Sequence, residues 1–175
     1  MQMTPERIHL IVNHWPIVGF TAALIPLIVG LCLKGPATLR TGLAMVVLFS
    51  ATVGMTMGSG EEAYERFEQG LITPGLDEAG NAWMHEHEHR AHAVAKLGYA
   101  AGGLAAVALL VGLWKPRWGR GLGVATVMLT AVAVGGLVWV ADSGGKIRHP
   151  EARPAPAAAP GGAAGAERGE HGHDH

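Results

Sequence analysis

Four long stretches of this chain carry no charge at all, and that constrains its fold more than any other feature. Residues 8–33, 41–60, 97–114 and 121–141 contain no Asp, Glu, Lys or Arg. Each is close to the roughly 20 residues needed to cross a bilayer's hydrocarbon as a helix. Only helices or closed barrels satisfy every backbone group in lipid, and runs this long and apolar read as helices. The expectation is an all-α integral membrane protein, with spans at about 8–33, 38–60, 88–114 and 119–141. Residues 61–87 would form the one sizeable extramembrane loop. Four spans within 175 residues leave little for a soluble core. They predict one four-helix transmembrane domain over 1–149, followed by an Ala/Pro/Gly-rich tail over 150–175 that composition predicts to be disordered.

The links between spans set the architecture and the orientation. Residues 34–40 and 115–120 are short, so the helices they join should be antiparallel neighbours in an up-down-up-down bundle. These links hold Lys34, Arg40, Lys115, Arg117 and Arg120 and no acid, whereas the central loop is rich in Glu. The positive-inside rule places both basic links in the cytoplasm. Both termini then face the periplasm if the membrane is a bacterial inner membrane. The first run lacks the basic lead of a cleaved signal and is interrupted by Pro16 and Pro26, so it reads as a retained helix. Net charge is −1, which gives no hint of a nucleic-acid partner. The lone Cys32 permits no internal disulfide and reads as a packing residue. Gly54-x3-Gly58, Gly98-x3-Gly102 and Gly119-x3-Gly123 suit close helix packing and leave an oligomer open.

Histidines gather on the side of the bilayer that holds the termini. His9 and His14 lie at the start of the first span, and His85, His87, His89 and His92 lead into the third. His149 follows the fourth, and His171, His173 and His175 end the chain. His85, His89, His92, Lys96 and Tyr99 share one helix face by their spacing, with His87 pointing elsewhere. Ionisable groups entering a bilayer are expected to face the bundle interior. Thr52, Thr56, Ser59 and Glu62 form a row on the second helix that would meet this stripe. Pro16 deprives the Val12 carbonyl of its helical partner and can turn His14 inward. His14 and His92 could then clamp haem b from opposite helices, with His89 as the alternative third-helix ligand and Lys96 and Arg90 facing the propionates.

A second chemistry fits the same residues. His9, His14, Glu62, His85, His89 and His92 offer imidazole and carboxylate donors suited to zinc, iron or copper(II). A third reading makes the histidines external pH sensors in a structural subunit. A weak internal repeat supports a paired site: Ser59-Gly60 and Ser143-Gly144 end the second and fourth spans, and His14 and His92 occupy comparable places in the first and third. No nucleophilic triad or phosphate loop is visible, so an independent catalytic activity has no support.

The opening His9-x4-His14-Trp15-Pro16 resembles the His-x4-His-aromatic-Pro first helix of a bacterial family of uncharacterised four-helix membrane proteins. Gly144-Gly145 followed by His149 is similar to that family's closing Gly-Gly…His motif, shortened. The resemblance implies four helices with a site at the outer face. A looser, architectural likeness to cytochrome b-like four-helix membrane proteins implies electron transfer through haem, with a quinone or a periplasmic redox protein as partner.

Overall fold

The computed structural model describes residues 3–154 as an all-α bundle. The order is α1 (Pro5–Val12), α2 (Trp15–Cys32), α3 (Pro36–Glu68), α4 (Glu78–Trp114) and α5 (Pro116–Arg148), closed by a short 3-10 turn over Pro150–Ala152. Taking α1 and α2 together, four helices are long and apolar enough to cross a membrane. Each packs on the next in chain order and α2 closes the ring on α5, so α2 and α4 stand diagonally across the bundle. Large apolar side chains such as Val18, Ile25, Leu48, Leu110 and Val132 face outward, as a lipid solvent favours.

Small residues set how close the helices come. A Cβ at Gly42 would stand 2.6 Å from the Leu27 backbone nitrogen, which puts α3 directly on α2. Gly102 leaves room for Ser50, whose hydroxyl donates to the Gly98 carbonyl at 3.2 Å and ties α3 to α4. Gly119 packs on Gly112 where α4 turns into α5. Of the three Gly-x3-Gly pairs, Gly54 and Gly58 lie in open space or loose contact, and so bring no pair of backbones together.

Pro16 marks the break between α1 and α2. With no N–H to offer, it leaves the Val12 carbonyl open, and the Thr56 hydroxyl of α3 donates to that carbonyl at 3.2 Å. The Thr56 and Ser59 row therefore meets the first helix, not the third. Its short polar groups are what the broken backbone of α1 needs.

The helices outrun the apolar runs. At about 1.5 Å per residue, α3 and α4 reach roughly 50 and 55 Å, against about 30 Å of hydrocarbon. α3 continues through Glu61–Glu68, and α4 begins ten residues before the expected boundary, capped by Asp77, whose carboxylate accepts from the Gly80 N–H at 2.8 Å. Within the expected extramembrane segment 61–87, residues 69–77 lie outside the helices. Arg153 pins this region by donating to both Asp77 carboxylate oxygens, at 2.5 and 2.9 Å, and to the Lys146 and Ile147 carbonyls. Those partners hold residues 150–153 in place, against the expectation of disorder from residue 150. The rest of the expected tail, with His171, His173 and His175, lies outside the described residues.

Candidate functional site

Two histidines in matching surroundings define the site. His9 on α1 places Nδ1 3.2 Å from the Thr56 carbonyl and 3.3 Å from the Ser59 hydroxyl. His87 on α4 places Nδ1 3.0 Å from the Val140 carbonyl and 3.2 Å from the Ser143 hydroxyl. The glycine after each serine completes the seat. A Cβ at Gly60 would lie 3.0 Å from Cε1 of His9, and one at Gly144 would lie 3.1 Å from Cε1 of His87. Carbonyl, hydroxyl and glycine recur at i, i+3 and i+4 of a helix, so one helical face supplies all three.

This seat fixes the tautomer. A carbonyl only accepts, so Nδ1 carries the proton and donates it; Nε2 keeps its lone pair, as assigned from the hydrogen-bond network. Each serine hydroxyl also donates to the same carbonyl, at 3.1 Å for Ser59 and 2.7 Å for Ser143. An imidazole held in this way is oriented to use Nε2 as a ligand or an acceptor.

Both rings border a cavity of about 790 Å³ at the end of the bundle that carries the termini. Pockets for small molecules and cofactors commonly span about 300–1,000 Å³. Its wall is largely apolar, with Ile17, Val53, Met57, Val94 and Leu137 contributing, and it includes His14 and His92. His92 Nε2 lies 3.9 Å from carboxylate oxygens of both Glu61 and Glu88. Arg148 and His149 also reach the cavity, and Arg148 donates to the Pro74 carbonyl at 2.9 Å to hold the α3–α4 loop beside it. The Asn13 side-chain oxygen is buried on this wall with no partner among the described residues.

The other residues singled out from the sequence lie elsewhere. His85 is exposed, with Nδ1 3.0 Å from the Tyr64 hydroxyl and its ring edge-on to Tyr64. His89, Lys96 and Glu62 are exposed and do not line the cavity. Arg90 donates to Glu86 at 2.7 Å and to the Trp139 carbonyl at 3.2 Å. Its guanidinium stacks 4.3 Å from the Trp139 ring, so it clasps α4 to α5 and does not face the cavity.

The interior face of α4 runs instead through His87, Ala91, Val94, Ala95 and Gly98. His85 and His89 follow the spacing expected of one stripe, but they sit on the part of α4 that projects beyond the apolar run. No desolvation penalty drives them inward there. The overlooked residue was His87, and the sequence carried its signal: His87-x4-His92 repeats His9-x4-His14, just as Ser143-Gly144 repeats Ser59-Gly60. Among the described residues, no three His, Cys, Asp or Glu side chains come together as a metal-ion site.

Comparison of the chain with protein-family models, with curated proteins and with solved structures found no match.

Proposed function

We propose that this chain is a membrane electron-transfer protein that holds haem b in the cavity at its terminus-bearing end, with His9 and His87 as the axial pair. The observation that supports this most is the matched seating of two imidazoles on diagonal helices, each with its Nδ1 proton tied down and Nε2 left free. A planar ligand with two equivalent faces suits such a pair. Apolar side chains around it would exclude water, and Arg148, with His149 beside it, is the cation in the lining that could meet carboxylate substituents. When bound, haem supplies a one-electron couple whose potential depends on its axial ligands and surroundings.

His14 and His92 border the same cavity and form the alternative axial pair. With the basic links on the cytoplasmic side, the cavity faces the periplasm of a bacterial inner membrane. A haem so close to one face needs a quinone or a periplasmic redox protein to exchange electrons with. A mononuclear zinc, copper or iron site is the competing reading, and it has less support because no three donors converge among the described residues.

The test is a dithionite-reduced minus oxidised absorption spectrum of the detergent-purified protein from haem-replete cells. Sharp Soret and α bands that vanish in both His9→Ala and His87→Ala support the assignment. Loss confined to His14→Ala and His92→Ala moves the ligation to that pair. A featureless spectrum ends the haem reading, and elemental analysis for zinc, copper and iron then decides between a metal site and a purely structural or pH-sensing role.

A further inference from the structure

The opposite end of the bundle holds a second cavity, of about 290 Å³, in a crevice among α3, α4 and α5. Leu39, Leu43 and Leu109 form its apolar wall, and Arg40 and Arg120 belong to its lining. Gly112 packs on Gly119 beside it, so no side chain from that contact fills the crevice. Arg120 donates to the Lys34 carbonyl at 2.9 Å, which fixes its guanidinium where α2 leaves the bundle. Arg40 is exposed and makes no hydrogen bond or ion pair among the described residues.

No described carboxylate balances the charge at this end. Lys34, Arg40, Lys115, Arg117 and Arg120 cluster here, while residues 7–60 and 89–141 contain no Asp or Glu. The described carboxylates all belong to the other end of the bundle. Trp114 and Trp118, both strongly exposed, mark this level as the bilayer interface. A crevice that is apolar toward the hydrocarbon and cationic at headgroup depth matches one class of molecule, and that molecule is the surrounding solvent.

We propose that this crevice is a binding site for a single anionic phospholipid, with an acyl chain against Leu39, Leu43 and Leu109 and the phosphate between Arg40 and Arg120. Basic pockets between transmembrane helices favour anionic headgroups, and each arginine near the surface contributes roughly a fivefold gain in binding. The bound lipid would brace α3 against the α4–α5 turn. The proposal is independent of any cofactor at the other end.

Native mass spectrometry of the delipidated full chain, titrated with phosphatidylglycerol, phosphatidylcholine of the same acyl chains, or inorganic phosphate, tests it. One phosphatidylglycerol should bind in preference to phosphatidylcholine, and phosphate should not displace it. Arg40→Gln should weaken that binding roughly fivefold, and Arg40→Gln with Arg120→Gln roughly thirtyfold. Lys115→Gln with Arg117→Gln removes the same charge outside the crevice and should change it less than about twofold. Equal losses in the two double variants, no headgroup preference, or displacement by phosphate would each overturn the site. Should the Arg120 variant fail to fold, Arg40→Gln alone decides, since Arg40 has no partner to lose among the described residues.

Discussion

The contact between Thr56 and the Val12 carbonyl predicts a specific energetic coupling. Pro16 removes the N–H that would have closed on Val12, and the Thr56 hydroxyl, 3.2 Å away, takes its place. Thr56→Val keeps the side chain's shape and deletes that donor. Val12 is only 5 % exposed, so water cannot readily substitute. An orphaned buried carbonyl costs about 1–3 kcal/mol, whereas interhelical hydrogen bonds measured in membranes average about 0.6 and reach about 1.7. Because Thr56 also donates to the Thr52 carbonyl at 3.0 Å, the hydroxyl is shared, and a loss of about 1–1.5 kcal/mol is expected. In a Pro16→Ala background the backbone can close its own bond to Val12, and the same substitution should then cost less than about 0.5 kcal/mol. Pro16 is fully buried, so Pro16→Ala destabilises through lost packing, but the double-mutant cycle cancels that contribution. The assay is reversible unfolding in mixed micelles of rising SDS fraction, followed by tryptophan fluorescence. Strict additivity of the two substitutions would refute the idea that Thr56 compensates for the proline.

Three further outcomes follow from the geometry. Ser59→Ala and Ser143→Ala each remove the hydroxyl that shares a carbonyl with an imidazole; under the haem assignment proposed above, haem retention, measured by transfer to apomyoglobin, should weaken about 10- to 100-fold in both and to a similar degree. Gly42→Ala drives a methyl group into the Leu27 backbone and should destabilise the bundle by about 1–3 kcal/mol, while Gly103→Ala, with nothing within 4 Å, should be neutral or slightly stabilising in SDS titration. Hydrogen bonds from Arg153, then from the Gly80 N–H, hold the Asp77 carboxyl below its ordinary value of 3.8. A depressed carboxyl stabilises the fold above its unfolded pKa and loses that contribution as pH falls through the folded one. The melting temperature should therefore drop more steeply below about pH 4 in the unmodified chain than in Asp77→Asn, and equal slopes would show that the latch adds nothing.

The bundle was legible in the sequence because an unbroken absence of charge is what hydrocarbon demands of a spanning helix. Helix ends were less legible, since charge marks the bilayer's edge and not the helix's. Glu61–Glu68 and Glu78–Glu88 are good helical sequence that simply continues beyond the lipid. That extension also sets the environment of the histidines at the start of the third span. Spacing groups His85, His89, His92, Lys96 and Tyr99 on one face, and all five are exposed, with His92 alone of them lining the cavity; an intramembrane penalty does not act on histidines that stand clear of the apolar run. His9 and His87 were within reach through the doubled His-x4-His spacing, but a repeat of two residues gains weight only when a Ser-Gly step from a neighbouring helix is seen beneath each ring.

The duplicated seating has a consequence for how such a site could arise and be taken apart. Each half of the molecule, α1–α3 or α4–α5, carries one imidazole together with its own complete support. Neither half encloses the cavity alone; the 790 Å³ space exists only along the seam between them. Residues 69–77, outside the apolar spans, are the covalent link between the halves, which otherwise meet through packing of α3 on α4 and of α2 on α5. In a chain cut in that loop, packing alone would hold the halves together, and occupation of the cavity would report on whether they still meet.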